Sequence, residues 1–502
     1  MRLRYACTQH VLPRTSMNLE TRTVRSIGWS ATSQIAQLLM AILISAILAR
    51  LLTPSDFGLI AMVVVFSNFV AIFSSFGLTS AIVQKKEVSD EALSSTFWIN
   101  VGLGALLTLA LAASAPLIAA FYSQPRLTPL IVFISTTFFI ASFGNVQNGL
   151  LTKRMNFKAL AVIGICAIAI SGPIAIFLAF SGYGVWSLAW YTVLSSFVTV
   201  VFTWIYARWV PHFLLGLQHM KGLLGFGANL TGFSFVNYFA LNMDNLLIGR
   251  FLGSAPLGFY NLAYNLLVFP TSNISAVVGR VMFPALSIIQ HDKQLVRDAY
   301  VTANRYIAAV SFPLMIWVLV TAPQLIRVVY GPKWISVIPL VQIFALAAIE
   351  QSIGTNVGWI FMSQGRTDVL FKVGIFTTIV IIISFIVGLR GGVEGVVIAY
   401  TIATYLLAYP VFAIAFRLID MKVKYALAPL WSVTLAALTL GIVAFLLRIS
   451  LEKLGVTQDL AILAIVTAAS LLIYSVVLFL IDKELFIGIV RLLDQLRTAD
   501  SA

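Results

Sequence analysis

Apolar runs of about 20 residues recur along almost the whole chain and are separated by short polar connections. A run of this length crosses the hydrocarbon core of a bilayer as an α-helix, which bonds all its backbone polar groups internally. Only 10% of the 502 residues are charged, and the mean hydropathy is +0.99. Soluble domains carry about a quarter charged residues, so a soluble enzyme and a disordered chain are both excluded.

We predict an all-α polytopic membrane protein with about fourteen transmembrane helices. The basic residues test this count, because Lys and Arg concentrate in cytoplasmic loops. With both termini cytoplasmic, 24 of the 32 basic residues lie inside and 8 outside. The predicted spans are 27–49, 58–80, 94–117, 128–149, 158–180, 184–206, 224–249, 257–280, 301–322, 335–361, 369–389, 394–416, 426–447 and 460–481.

The net charge of +14 is explained by these loop residues and indicates no nucleic-acid partner. Cys7 and Cys166 are far apart, and the four histidines lie outside the apolar runs. Neither a metal site nor a nucleophile–His–carboxylate set can be assembled from them. We therefore expect no cofactor, no metal and no catalytic residue. Residues 1–26 are expected to form a cytoplasmic extension, with Met1 and Met17 both candidate starts.

An internal duplication divides the chain. ILARLLTPSDFGLIAM follows the first span and LIGRFLGSAPLGFYNL follows the seventh, and they share Arg, Leu and Gly at an offset of 200. Six helices separate the copies, so both halves insert in the same orientation and form parallel repeats. The predicted units are an N-terminal lobe (27–206), a cytoplasmic linker (207–223), a C-terminal lobe (224–416), two further helices (426–481) and a cytoplasmic tail (482–502).

Polar side chains share one face of the first and seventh spans. Polar groups facing lipid would lack hydrogen-bond partners. These polar faces of the first and seventh spans therefore line a hydrated cavity between the lobes, or their side chains hydrogen-bond to neighbouring helices. The candidate cavity residues are Gln37, Asn237, Asn242 and Asn245.

Four charged residues near the spans are candidate functional groups. Asp244 and Glu350 lie deep in spans, where an acid is costly and commonly marks an ion pathway, a proton site or an ion pair. They are candidate ion-coupling residues; structural hydrogen bonding and ion pairing are the alternatives. Arg50 and Arg250 end equivalent spans on the outer side, against the positive-inside trend. They contact a substrate phosphate, or they extend to lipid headgroups.

Several stretches resemble the polysaccharide-repeat-unit flippases of the MOP superfamily, often called Wzx-type, and most of all the lipopolysaccharide or colanic-acid exporter branch. The resemblance runs from Arg22 to about residue 420. Its residues are GWSATSQIAQLL (28–39), ARLLTPSDFGLIAM (49–62), FGLTSAIVQKKEVSDE (76–91), NMDNLLIGRFLGSAPLGFYNLAYNLL (242–267) and GRVMFPALS (279–287).

The resemblance implies a V-shaped pair of six-helix lobes with two peripheral helices. It implies, as cargo, an oligosaccharide on a polyprenyl pyrophosphate, moved to the periplasmic leaflet by ion- or potential-coupled alternating access for O-antigen, exopolysaccharide or capsule synthesis. Membrane lipids, a polysaccharide polymerase and chain-length machinery are the implied partners, and the bacterial inner (plasma) membrane is the implied location.

Two other functions are compatible with a polytopic chain. A small-molecule or drug antiporter of the same superfamily would bind a cationic solute through Asp244 or Glu350. A membrane polymerase or ligase would need an acid/base or metal site near the outer surface. The outer connections contain no histidine and no long loop, which disfavours an enzyme.

Overall fold

The computed structural model describes Gln34, residues 36–74, 88–213, Tyr238 and 242–500. Side chains are described for all of these except 268–270, 272–274, 276–277, 280 and 492–500. Within these ranges the regular secondary structure is helical, with no strand. The predicted N-terminal extension, Asn237 and most of the predicted linker 207–223 lie outside the described residues.

The first half of the chain contains seven helices. They are α1 (Ala36–Leu51), α2 (Pro54–Ala71), α3 (Asp90–Tyr122), α4 (Leu127–Ser142), α5 (Asn145–Lys153), α6 (Phe157–Phe180) and α7 (Val185–Ala207).

The second half begins with α8, described over 242–251. The remaining helices are α9 (Ser254–Ile288), α10 (Lys293–Val329), α11 (Ile338–Gly354), α12 (Val357–Ser363), α13 (Thr367–Gly388), α14 (Gly392–Arg417), α15 (Val423–Leu427), α16 (Trp431–Lys453), α17 (Asp459–Ile481) and α18 (Lys483–Asp500). Short 3-10 turns at Pro332–Val337, Leu389–Gly391 and Ala428–Leu430 join some of them.

Each of the fourteen predicted spans overlaps a helix of the structure. In the described part of the chain, nine helical segments are long and apolar enough to cross a membrane, or ten if a bent pair is one span. One of these segments, Thr367–Arg417, contains α13 and α14, which pack side by side. The protein is therefore a multi-pass, all-α membrane protein, and fourteen crossings are compatible with it.

The same helix pairs pack in both halves. In the first half α3 packs on α4, α4 on α7 and α6 on α7. In the second half α10 packs on α11, α11 on α14 and α13 on α14. This is the arrangement that two parallel six-helix lobes require. The lobes are joined by α2 and α9, the second helix of each lobe, which pack against one another.

Helix α2 begins where its sequence signals a start. Thr53 is extended, its hydroxyl accepts the Asp56 N–H, and the Asp56 carboxylate accepts the Thr53 N–H at 2.9 Å. This is a capping box, and Pro54 at the first helical position supplies a preset φ. The turn from α1 into α2 therefore takes only Leu52 and Thr53.

The predicted fourth span, 128–149, consists of two helices rather than one. A bend of 47° separates α4 from α5. Gly144 lies at the break, and glycine is a common site of helix kinks. In the second lobe the equivalent helix is also interrupted, between α11 and α12 at Thr355–Asn356. In contrast, Pro173, Pro313 and Pro410 lie inside continuous helices.

At the end where α10 begins, the two extra helices are fastened to the second lobe by one carboxylate. Asp482, which follows α17, pairs with Arg305 of α10. The same carboxylate accepts the Ser432 hydroxyl of α16 at 2.8 Å. One acid therefore ties three helices together.

A second set of polar contacts fastens α16 and α17 to α10 at the opposite end. Gln324 of α10 donates to Glu452 at 2.9 Å, and Arg327 pairs with Asp459 at 3.4 Å. Since both ends are tied, α16 and α17 belong with the second lobe rather than standing apart in the lipid.

We predict that Gly388→Ala destabilises the protein by about 1–3 kcal/mol, the usual cost of overpacking. A Cβ at Gly388 would lie 2.6 Å from the backbone oxygen of Gly395, across the α13–α14 hairpin. Thermal unfolding of the purified protein measures the effect. Gly374→Ala is the control because a Cβ there meets nothing within 4 Å. Equal melting temperatures for the two variants would contradict the close approach.

We predict that Asp482→Asn lowers the melting temperature at neutral pH. Burial opposes ionisation of Asp482, but bonds from Ser432, the Leu485 N–H and Arg305 outweigh it and lower its pKa. The ionic contacts therefore stabilise the fold above the unfolded pKa of about 3.9 and are lost as pH falls through the lower folded value.

The difference in melting temperature between parent and Asp482→Asn should accordingly shrink when unfolding is measured towards pH 3. The control is Asp420→Asn, whose exposed pair with Lys293 contributes little. A difference that is independent of pH would show that ionised Asp482 does not hold these helices.

Candidate functional site

The candidate site residues divide between the contact of the two lobes and the interior of the second lobe. Arg50, the exposed arginine near the end of α1, reaches into the other lobe. Its guanidinium donates to the backbone carbonyls of Val328 and Val329, with Nε 3.0 Å from the Val329 oxygen. These carbonyls end α10, where the helix dipole favours a cation.

Arg250 lies at the equivalent place on α8 and also reaches into the opposite lobe. Its Nη1 donates to the Ser123 hydroxyl at 2.9 Å, just beyond the end of α3. The guanidinium also lies over the Phe121 ring, 5.6 Å from its centroid. Both arginines therefore contact protein in this state.

Asp244 lies inside the second lobe, only 6% exposed. Its Oδ2 accepts the Tyr260 hydroxyl of α9 at 2.6 Å, and its Oδ1 accepts the Asn245 N–H at 2.7 Å. A buried carboxylate needs such donors, because an unpaired one is very costly in a low dielectric. The hydrogen-bonding alternative predicted from the sequence thus describes this acid's contacts.

The other polar candidates also bond locally. Asn245 accepts the Asn261 amide of α9 at 3.0 Å, and Asn242 donates to the Tyr238 carbonyl at 3.0 Å. Gln37 is half-buried against α6 of its own lobe; a Cβ on Gly164 would lie 2.6 Å from its Oε1.

A cavity of about 470 Å³ lies among α9, α11, α13 and α14 of the second lobe. Glu350 lines it, next to Gln351 and Gly354 of the same helix, and Tyr400 lines the facing side. The Gln351 amide donates to the Tyr400 hydroxyl. This cavity, called the chamber below, is partly open and has a mostly apolar lining, in which Glu350, Gln351 and Tyr400 are polar groups.

Aromatic rings connect Asp244 to this chamber. Tyr260, its hydrogen-bond donor, stacks on Tyr264 with ring centroids 6.0 Å apart, and Tyr264 lines the chamber. Phe344 contacts both Tyr264, at 5.8 Å, and Tyr400, at 6.2 Å. The structure therefore brings both predicted acids to one interior region of the second lobe, which sequence spacing alone did not reveal.

Sequence analysis missed the buried amides that lie at the interrupted helices. In the second lobe Asn356 donates to Asn304 at 2.9 Å. In the first lobe Asn100 of α3 and Gln147 of α5 are 0% exposed, and their amide atoms have no hydrogen-bond partner among the described residues. An amide within an apolar span is the sequence signal that could have found them.

No group of three His, Cys, Asp or Glu residues suited to a metal ion occurs in the described part of the chain.

Comparison with known proteins gives one family match. A family model described as "Polysaccharide biosynthesis protein" matches residues 47–339, from the end of α1 to the start of α11.

Individual relatives match over most of the chain. Lipopolysaccharide biosynthesis protein WzxC of Escherichia coli (strain K12) is 29% identical over 374 residues, 74% of this chain and 76% of the relative. Teichuronic acid biosynthesis protein TuaB of Bacillus subtilis (strain 168) is 28% identical over 469 residues, 91% and 94% of the two chains. Succinoglycan biosynthesis transport protein ExoT of Rhizobium meliloti (strain 1021) is 27% identical over 332 residues, 66% and 67%.

Solved structures show the same fold. The lipid II flippase MurJ in an inward closed conformation superposes with a TM-score of 0.71 at 14% identity, covering 91% of this chain and 99% of that one. An inward-facing multidrug resistance MATE transporter of the MOP superfamily superposes with a TM-score of 0.61 at 17% identity, covering 76% and 94%. With the family match covering more than half of its length, this chain belongs to the polysaccharide biosynthesis protein family and has the fold of the MOP superfamily transporters.

Proposed function

We propose that the protein is a flippase that moves an oligosaccharide carried on a polyprenyl pyrophosphate from the cytoplasmic to the periplasmic leaflet. The two lobes alternately open to each side, and an ion gradient or the membrane potential drives the cycle. Membership of the polysaccharide biosynthesis protein family is the observation that carries the proposal. The matched region contains α2 and α9, which join the lobes.

The relatives support a lipid-linked glycan as the class of cargo. Their names refer to three different polymers, namely lipopolysaccharide, teichuronic acid and succinoglycan. We infer that the shared fold recognises what such cargoes have in common, the lipid pyrophosphate carrier, while the sugar varies.

We assign ion coupling to the second lobe. Asp244 and Glu350 lie in different helices but reach one interior region through the tyrosines around the chamber. Buried acids in a membrane protein are costly unless they serve a function or a structural contact. A proton or cation that binds there changes the charge of the lobe interior, and so changes how its helices pack.

Gln37, Asn237, Asn242 and Asn245 remain candidate cargo contacts, and Arg50 and Arg250 candidate phosphate contacts once their partners in the opposite lobe have moved away. The proposal places both termini in the cytoplasm and the chain in the inner membrane, following the distribution of basic residues. A polysaccharide polymerase and chain-length machinery are the proposed partners, and no catalytic residue is assigned.

We predict that deleting the gene causes lipid-linked repeat units to accumulate with their sugars on the cytoplasmic side, and that the wild-type gene reverses this. Lipid-linked sugars are measured in intact cells and inverted vesicles with a sugar-specific reagent that does not cross membranes. The MOP superfamily also contains drug transporters, so drug sensitivity is measured in parallel. Unchanged lipid pools with altered drug sensitivity would instead support an antiporter.

We predict that Asp244→Asn and Glu350→Gln each reduce export strongly while the amount of membrane-inserted protein stays unchanged. Each removes a negative charge from the interior but keeps the side-chain size. Glu394→Gln is the matched control, because Glu394 is exposed in the first turn of α14 in the same lobe. Normal export by Asp244→Asn would assign that carboxylate a structural role and place coupling elsewhere.

A further inference from the structure

The contact between the lobes is built on the duplicated motif. At the first turns of α2 and α9, a Cβ on Gly58 would lie 1.7 Å from the Ser254 carbonyl oxygen. A Cβ on Gly258 would lie 2.0 Å from the Pro54 carbonyl oxygen. Each glycine therefore lies in close contact with a backbone carbonyl of the opposite lobe. The two contacts are equivalent, because their residues are related by an offset of 200.

Small residues are what allow this approach. Glycine and serine at a helix crossing let two backbones come together, as in membrane helix pairs with small residues four apart. Ser254 and Gly258 have this spacing, and so do Pro54 and Gly58. The hydroxyls of Ser55 and Ser254 lie 2.7 Å apart at the same crossing, so one direct polar bond joins the lobes there.

Both arginines of the motif add to the same contact. Arg50 caps the end of α10, and Arg250 binds Ser123 beyond the end of α3. Each thus reaches the third spanning helix of the opposite lobe. In return, Lys333 donates to the carbonyls of Arg50 and Leu51 at 3.1 and 3.0 Å, which caps α1 from the second lobe.

The contact is continuous with buried apolar packing from both lobes. Leu59 and Met62 of α2 belong to one cluster with Leu257 of α9, and all three are almost fully buried. Where α2 crosses α9, the lobes therefore meet through backbone, hydroxyl, cation and apolar contacts. All of these contacts must break if the lobes separate at this crossing.

We propose that this contact is a latch that closes one end of the passage between the lobes and must open in each transport cycle. The glycine pair and the serine pair form it, and the arginine pair holds it shut: Gly58, Gly258, Ser55, Ser254, Arg50 and Arg250. The positive-inside pattern places the latch on the outer side. This inference rests on the proposed transport cycle but not on the chemistry of the cargo.

A reversible cross-link tests whether the latch must open. Ser55→Cys and Ser254→Cys are combined in a background carrying Cys7→Ser and Cys166→Ser. Hydroxyls 2.7 Å apart place the two sulfur atoms within reach of a disulfide. A mild oxidant should form the bond and abolish export, and a reductant should restore it. Each single-cysteine variant should keep exporting under the same oxidant.

Two results would overturn the latch. One is the absence of a disulfide under oxidant, because the lobes would then not meet at these serines. The other is full cross-linking with undiminished export, because the contact would then be static.

A second measurement does not depend on any cargo. Gly58→Leu puts a side chain into the Ser254 carbonyl and should prevent closure. In a protein that also carries Ser254→Cys, this cysteine should then react faster with a membrane-impermeant maleimide than it does without Gly58→Leu. The maleimide is added to intact cells or to inverted vesicles. Gly102→Leu is the control, since a Cβ on Gly102 meets nothing within 4 Å. A labelling rate that Gly58→Leu leaves unchanged from both sides of the membrane would contradict the latch. If the labelling rate rises but the parent protein exports no glycan, only the proposed function is contradicted.

The same labelling assay separates the two roles of the arginines. If Arg50 holds the latch shut, Arg50→Ala should raise the labelling rate in membranes that contain no lipid-linked sugar, though less than Gly58→Leu does. A labelling rate equal to that of the parent would remove Arg50 from the latch.

Discussion

The hydrocarbon core of the bilayer offers no water to polar groups, and the arrangement of this protein follows from that constraint. Helices satisfy their own backbones, and several buried side chains bond to neighbouring helices, whereas Asn100 and Gln147 have no hydrogen-bond partner among the described residues. Asp244 accepts a hydrogen bond from Tyr260, Asn356 donates one to Asn304, and Arg50 donates to the carbonyls at the end of α10. Each such pairing joins two particular helices, so polar contacts act together with apolar packing in setting which helices lie side by side.

Much of the fold could be predicted from the sequence, because apolar length and the placement of basic residues are local properties. The break between α4 and α5 could not. Gly144 is one of several glycines within spans, and nothing in the sequence singles it out as the site of a bend.

The sequence predicted which residue types form the candidate site, but not which neighbouring helices their side chains face. A helical wheel shows that Asp244 and Asn245 share a face, but not which helix that face meets; here it is α9 of their own lobe. Likewise, the offset of 200 residues revealed Arg50 and Arg250 as equivalents. Their partners lie at the ends of α10 and α3, and only the folded chain shows those ends beside α1 and α8.

The fastening of α16 and α17 at both ends of α10 makes the two arms of the protein unequal. In the proposed transport cycle, the six predicted spans of the first lobe move against the eight predicted spans that contain the second lobe, α16 and α17. Helices α16 and α17 carry exposed apolar side chains, so a neighbouring protein that binds those two helices is thereby held against the whole second lobe.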